Sequence, residues 1–167
     1  MSDNNWAYIN ITNEPRLNRS YSIDQISGTD KFVLFGWKLK NMQSPWTNET
    51  WIFDLSEKKW TQMFPKICPR HLSYRSITHI HGTDKVLLLG SYYNTNNFEI
   101  WIYDLSNNNW SYRNISSIPR PSVRVQYEIV GLPGTDKLLL YGKYGNYTNL
   151  NDTWIYDFSE NNWSKRD

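Results

Sequence analysis

Short apolar runs alternate with polar, asparagine-rich stretches along the chain, and one arrangement of these runs recurs three times. Each copy begins with Gly-Thr-Asp-Lys, at Gly28, Gly82 and Gly134, and continues into four apolar residues followed by glycine or, in the third copy, three leucines and Tyr-Gly. A Trp-Ile-aromatic-Asp run and a further tryptophan complete the copy. This regular spacing predicts a repeat architecture in which each unit buries its faces against its neighbours.

The second copy shows the predicted strands most clearly. Residues 76–80 alternate between polar and apolar positions, which indicates a first strand, and residues 82–84 have the composition of a turn. Residues 86–89 are apolar without interruption, which predicts a second strand covered on both faces. Residues 100–104 and 110–112, rich in aromatic and β-branched side chains, predict a third and a fourth strand.

Four antiparallel strands joined by short loops form one blade of a propeller. The chain lacks useful helical periodicity, so we predict an all-β protein made of a single domain, 1–167, with three four-stranded antiparallel blades. The predicted boundaries are about 12–64 for blade 1, 65–114 for blade 2 and 115–167 for blade 3, with 1–11 as an extra outer strand.

Four recurring features carry a resemblance to a known family: a Pro-Arg pair before the first strand, a glycine closing the second, an aromatic-Asp pair ending the third and a tryptophan opening the fourth. The Pro-Arg pairs and the glycines are Pro15-Arg16, Pro69-Arg70, Pro119-Arg120, Gly36, Gly90 and Gly142. The chain resembles the kelch repeat family over nearly its whole length. Kelch units usually carry a second glycine there, whereas this chain has Trp37, Ser91 and Lys143. The resemblance implies β-propeller blades, usually acting as protein-interaction modules.

Three blades are fewer than the roughly four to eight that typical propellers contain. A three-bladed arc leaves two aromatic blade faces in water. We therefore predict that two chains close a six-bladed ring about a two-fold axis, as a homodimer in which blade 1 of one copy contacts blade 3 of the other. The alternative is that the chain is a piece of a longer propeller.

Two segments compete for the outer position of the last blade. Asn4-Asn5-Trp6 resembles Asn161-Asn162-Trp163, so each tryptophan begins a candidate fourth strand. The segment 6–11 fits strand addition to a partner's last blade, whereas 163–167 fits local pairing.

Net charge and the lengths of the apolar runs exclude some classes of function. The formal charge is +2, which favours neither nucleic acid nor a membrane surface, and no apolar run approaches the roughly 18 residues of a membrane span. The first residues lack the features of a secretory signal and Cys68 is the single cysteine, which favours the cytoplasm but leaves the compartment open. We expect the Cys68 thiol to be mostly buried.

Catalytic motifs are absent from the sequence pattern, and we predict a protein that is not an enzyme and takes no metal or cofactor. His79 and His81 share one strand face without a carboxylate at a familiar ligand spacing. The aspartates that recur at equivalent blade positions, such as Asp54, Asp104 and Asp157, are typical of turn caps rather than of a catalytic pair.

Arginines near the first strand of each copy are the leading binding candidates. They are Arg16, Arg19, Arg70, Arg75, Arg120 and Arg124. Guanidinium groups grip carboxylates in a bidentate fashion, so we predict that a protein or acidic peptide binds over a basic channel mouth. The competing interpretation is that these arginines bond backbone carbonyls between blades.

Aromatic side chains also lie between the second and third strands, in the segments 37–48, 91–97 and 143–151. Tyr92 and Tyr144, interleaved with asparagine, are candidate binding residues because this composition is typical of adaptable recognition surfaces. We therefore expect a non-enzymatic interaction scaffold. The alternatives are a carbohydrate-binding module that uses these loop aromatics, and a fragment whose activity is self-assembly alone.

Overall fold

The computed structural model describes residues 8–16, 19–38, 47–70, 72–91, 98–115, 119–145 and 148–166. Within these residues all regular structure is β, and thirteen strands form three antiparallel sheets. Each sheet corresponds to one copy of the repeat, so the prediction of an all-β chain with three four-stranded blades is confirmed, with one additional two-residue strand in the third sheet.

The strands follow one another in sequence within each blade. Blade 1 contains β1 (Arg19–Gln25), β2 (Lys31–Lys38), β3 (Thr47–Asp54) and β4 (Lys59–Met63). Blade 2 contains β5 (Tyr74–His79), β6 (Lys85–Ser91), β7 (Glu99–Asp104) and β8 (Asn109–Arg113). Blade 3 contains β9 (Val125–Gly131), β10 (Lys137–Gly145), β11 (Thr148–Asn149), β12 (Thr153–Asp157) and β13 (Asn162–Arg166).

The Gly-Thr-Asp boxes form the turn between the first and second strands of each blade. Gly28, Gly82 and Gly134 all have positive φ, between +72° and +74°, which an L side chain rarely adopts. In blade 1 the Thr29 hydroxyl donates to the carbonyl of Ile26 at 2.9 Å and accepts from the amide of Lys31 at 3.1 Å. The sequence thus sets the turn by backbone freedom and by a local side-chain cap.

Side chains of the second strand point alternately to its two faces, and in blade 2 both faces are covered, which explains the continuous apolar run. Val86 and Leu88 of β6 pack in a cluster with residues of blade 1, while Leu87 and Leu89 pack in a cluster with residues of blade 3. We call the face toward the preceding blade the front face and the opposite one the back face. Fully burying each such side chain contributes about 1.5–3 kcal/mol, so stacking of blades is the main source of stability.

One loop prediction and one strand prediction need correction. The segment 143–151 was expected to be a loop, but the end of β10 pairs with β11, because Tyr144 and Gly145 oppose Asn149 and Thr148. Residues 8–11, expected in an extra outer strand, are not in a strand; Thr12 instead forms a parallel bridge with Lys59 of β4. Trp6 lies outside the described residues.

The outer position of blade 3 is filled locally. Strand β13 pairs with β12 along its whole length, with Trp163 opposite Tyr156. A short turn joins the two strands, so local pairing has a low loop-closure entropy. This bears out the local alternative for the 163–167 segment.

Candidate functional site

Blade 1 has a front face against which no described blade lies. In blades 2 and 3 the equivalent aromatic pairs, Tyr103–Trp110 and Tyr156–Trp163, are at most 4 % exposed. In blade 1 the corresponding Phe53 and Trp60 are only half-buried, although their ring centroids are 5.0 Å apart, against 5.1 and 5.0 Å in the other two pairs. On the same sheet face, the side chains of β1 include two exposed residues, Tyr21 and Ile23. This surface is therefore a partly exposed aromatic face.

Blade 3 has a corresponding open back face. Val130 and Tyr141 are exposed there, whereas their equivalents in blade 2, Thr78 and Leu89, are buried against blade 3. The two open faces lie at opposite ends of the arc, with blade 2 between them. We call them the blade 1 front face and the blade 3 back face.

Side-chain oxygens of the first strands β1 and β5 accept hydrogen bonds from backbone amides of the next blade. The amide of Ile77 donates to the Ser22 hydroxyl at 2.9 Å, and the amide of His79 donates to Asp24 Oδ2 at 2.8 Å. In the same way, the amide of Gly131 donates to the Thr78 hydroxyl at 2.8 Å. The sequence analysis missed these contacts, although alternation of polar and apolar residues along the first strand was their visible signal.

Arg124, one of the predicted binding residues, is 1 % exposed and forms an internal ion pair. Its Nη1 donates to Asp152 Oδ1 at 2.5 Å, and its Nε donates to the Ser122 carbonyl at 3.1 Å. Burial opposes the charge on Asp152, but hydrogen bonds from Arg124 and Trp154 outweigh burial and lower the pKa of this carboxyl. The guanidinium is thus engaged within blade 3, mainly with a carboxylate, whereas the competing interpretation expected bonds to backbone carbonyls between blades.

Arg75 occupies a different kind of position. It lies opposite Gly90 in the sheet, as Tyr21 lies opposite Gly36 and Tyr127 opposite Gly142, so its equivalents are tyrosines. Its guanidinium carbon is 5.7 Å from the ring centroid of Phe35 across the blade boundary. Burial lowers the pKa of Arg75 to about 10, so the group stays charged at neutral pH. Arg19 begins β1, and its side chain lies outside the described part.

The three Pro-Arg arginines, Arg16, Arg70 and Arg120, are exposed. Arg16 lines a groove of about 1030 Å³ that also contacts Trp51 and Trp60. Arg70 lines a separate groove of about 650 Å³ beside Trp101 and Tyr112. Each of these two arginines therefore lies in a groove of its own blade.

A carboxylate holds the third-strand tryptophan of every blade, which the sequence analysis also missed. The indole nitrogens of Trp51 and Trp101 donate to Glu49 and Glu99, both at 2.8 Å. Trp154 donates to Asp152 at the same distance. The signal was an acidic residue two positions before this tryptophan in each copy. These bonds fix the indoles that border the grooves.

The recurrent aspartates cap turns, as predicted. Asp157 accepts from the amide of Glu160 at 3.0 Å and from the Ser159 hydroxyl at 2.9 Å, and it pairs with Lys137. Hydrogen bonds from the Lys137 ammonium and the Glu160 amide lower the pKa of Asp157 to about 2. Asp54 pairs with Lys31 and Asp104 with Lys85 in the same way, which explains the recurrence structurally.

The described histidines and cysteine have separate environments. His79 Nδ1 lies 3.0 Å from Asp24 Oδ2, while His81 is exposed in the following turn. Among the described residues, no three His, Cys, Asp or Glu side chains are grouped as metal ligands. The expectation of a mostly buried Cys68 is wrong: the residue is exposed, because it lies in the segment that links the blades.

The loop aromatics cannot be placed in the site. Tyr92 lies outside the described residues, as does the side chain of Tyr144, whose backbone belongs to β10. Over the part of the chain that is described, no helix is long and apolar enough to cross a membrane.

Comparison with known proteins agrees with this geometry. The family model of the KLHDC2/KLHL20/DRC7 Kelch-repeats domain matches residues 1–167. A search of curated proteins finds no match. The three stacked blades, their glycine turns and their recurrent tryptophans are what this family's repeats build. The chain therefore belongs to the KLHDC2/KLHL20/DRC7 Kelch-repeats domain family, whose β-propeller blades serve as protein-interaction scaffolds.

Proposed function

We propose that this chain is a self-associating half of a propeller scaffold. Two copies join the blade 1 front face of one to the blade 3 back face of the other, and the resulting six-bladed ring presents its surface to protein ligands. The observation that carries the proposal is the half-exposed Phe53–Trp60 pair, whose equivalents in blades 2 and 3 are buried by a neighbouring blade.

Burial of the exposed aromatic surface is the energy source for association. A large aromatic side chain buries about 150–250 Å² when it is fully covered. Each 100 Å² of apolar surface removed from water is worth on the order of 2–3 kcal/mol. Part of this gain offsets the loss of translational and rotational freedom on association. Since two copies form two such boundaries at once, ring closure gains the apolar contribution twice for a single association step.

The experiment introduces a charge on one open face and compares it with an equally exposed control. Tyr141, on the blade 3 back face, and Tyr112, in the Arg70 groove, are both 53 % exposed. We expect Tyr141→Glu to shift the chain to the monomer in size-exclusion chromatography with light scattering, while Tyr112→Glu stays associated. Equal masses for both variants and the wild type, or a monomeric wild type, would contradict the proposal.

We propose in addition that Arg70 contacts an acidic segment of a protein ligand. The observation that favours this second role is the groove in which the exposed Arg70 lies beside Ile67 and Tyr112, both 53 % exposed. An aromatic wall next to a guanidinium suits a peptide that carries both carboxylates and apolar side chains.

An array of acidic peptides tests this role, with Lys66→Glu as a control for the change in net charge. Lys66 is also exposed and lies only four residues earlier in the chain. We expect Arg70→Glu to lose the peptides that the wild type retains, and Lys66→Glu to keep them. The proposed role of Arg70 would be overturned if Arg70→Glu retained the same acidic peptides as the wild type, or if the wild type retained none.

A further inference from the structure

The boundary between blades 1 and 2 is joined by two side-chain hydrogen bonds from the back face of β3. The indole of Trp110 donates to the Thr50 hydroxyl at 2.9 Å, where both residues are at most 2 % exposed. The amide group of Asn48 donates to the carbonyl of Pro69 in the segment leading into blade 2. Asn48 and Thr50 precede the third-strand tryptophan by three and one positions.

The boundary between blades 2 and 3 has a different chemistry. Phe98 and Ile100 occupy the positions of Asn48 and Thr50, so neither hydrogen bond can form there. Besides the first-strand bond from Gly131 to Thr78, this boundary contains a polar contact of Tyr127, whose hydroxyl lies 3.0 Å from the carbonyl oxygens of both Tyr74 and Leu89 and has one proton to donate to them. The arc therefore contains two distinct boundary types.

The open back face of blade 3 repeats the first type. Asn151 and Thr153 precede Trp154 by three and one positions, so the chain reads Asn-acidic-Thr-Trp in blades 1 and 3 but Phe-Glu-Ile-Trp in blade 2. No other described blade lies against this face. The blade 1 front face carries the matching groups at equivalent positions, since Trp60 corresponds to Trp110 and Pro15 to Pro69.

We infer that the partner of the blade 3 back face is the blade 1 front face of a second copy, held by the bonds that join blades 1 and 2. Thr153 accepts from the Trp60 indole of the second copy, and Asn151 donates to its Pro15 carbonyl. This inference rests on the proposed ring closure and specifies its contacts. The arrangement also brings the exposed Tyr21 over Tyr141, as Arg75 lies over Phe35 within the chain.

Ring closure makes the expected effect large. A buried indole donor left without an acceptor weakens a contact about tenfold. A two-fold ring contains the boundary twice, so removing the acceptor from both copies multiplies the factors. We therefore expect Thr153→Val to raise the dimer dissociation constant about hundredfold.

The experiment is a double-mutant cycle on dimer dissociation, measured by sedimentation equilibrium of the full chain. The variants are Thr153→Val, Trp60→Phe and their combination, with Thr153→Ser retaining the hydroxyl and Thr50→Val as the control at the internal boundary. Thr153 and Trp60 belong to blades 3 and 1, on opposite sides of blade 2, so direct coupling between them requires a second copy. We expect the dimer dissociation constant of the combined variant to be no higher than that of Trp60→Phe alone. Thr153→Ser should dimerise like the wild type.

The outcomes separate the two proposals. Coupling between Thr153 and Trp60, with none between Thr50 and Trp60, supports the inferred contacts. A wild-type dimer that Thr153→Val leaves unchanged overturns the inferred contacts but not ring closure. A wild-type chain that stays monomeric overturns both, and points to further blades of a longer chain as the cover.

Discussion

The indole of Trp110 and the hydroxyl of Thr50 form a hydrogen bond across the boundary between blade 2 and blade 1, in a site closed to water. Phe35 packs against the same indole with ring centroids 5.1 Å apart. One tryptophan thus provides both the apolar contact and the directional bond that set how two blades stack. The recurrence of this tryptophan in each copy is the reason why the repeat pattern predicts stacking.

Removing the Thr50 hydroxyl tests this bond within one chain. Thr50→Val leaves the buried Trp110 indole without its acceptor, which costs about 1–3 kcal/mol of the free energy of unfolding. Thr61→Val is the control, since Thr61 is exposed on β4. Urea unfolding followed by tryptophan fluorescence measures both variants, and equal stabilities would contradict the assignment.

Arg124 has a structural role that differs sharply from that of Arg70. We expect Arg124→Ala to lower the free energy of unfolding by about 3–5 kcal/mol, because the change breaks a buried pair and leaves Asp152 without its cation. Arg70→Ala removes an exposed guanidinium and is expected to stay within about 0.5 kcal/mol of the wild type. A denaturant titration measures the free energy of unfolding of both variants. Equal decreases would show that the contact with Asp152 does not stabilise the fold.

Gly142 lies within the second strand of blade 3, at a position where no side chain fits. A Cβ at this position would lie 2.6 Å from Cα of Tyr127 and closer still to its Cβ, so the backbone of β9 would have to move. We expect Gly142→Ala and Gly142→Asn both to destabilise the fold by roughly 1–3 kcal/mol or more.

Gly134 supplies a contrast that separates crowding from backbone strain. Its φ is +73° and nothing lies within 4 Å of the point that a Cβ would occupy, so the constraint is conformational. Asparagine tolerates this region better than alanine. Thermal melts should therefore show Gly134→Asn as milder than Gly134→Ala, whereas asparagine should bring no relief at Gly142.

The Lys137–Asp157 pair predicts a loss of stability in acid. The folded-state pKa of Asp157 is about 2, below the ordinary 3.8, so the unfolded chain binds more protons between these values. The contribution of the pair is present above pH 4 and is lost as the pH falls toward about 2.

Replacing Asp157 measures this contribution. Asp157→Asn should be less stable than the wild type at pH 7, and the two stability curves should converge near pH 2, with Glu160→Gln as an exposed control. A difference that stays constant from pH 7 to pH 2 would show that the aspartate acts by shape rather than by charge.

Much of the fold follows from the sequence because the pattern of one blade recurs three times. The Gly-Thr-Asp turns, the apolar second strand and the recurrent tryptophan occupy the same positions in all three sheets. The arginines were harder to place. Arg75 and Arg124 follow the Pro-Arg arginine of their copies by five and four residues, yet one lies over Phe35 and the other binds Asp152, a residue 28 positions away. Such long-range pairings leave no periodic signal.

The number of blades was enough to predict the two open faces. It was not enough to predict the groups that we propose to meet across these faces. That information lies in Thr50 and Asn48, whose roles become visible only when Trp110 and Pro69 are seen on the other side of the boundary. Once the internal boundary is known, Asn151 and Thr153 can be interpreted as its second copy.

The solution mass of the purified chain, followed by sedimentation equilibrium on dilution, tests the central claim most directly. The account predicts a reversible dimer of twice the 20.0 kDa of one chain, with dissociation at low concentration. A single species of 20.0 kDa at every concentration would contradict it, because the Phe53–Trp60 face would then be stable in water with no neighbouring blade.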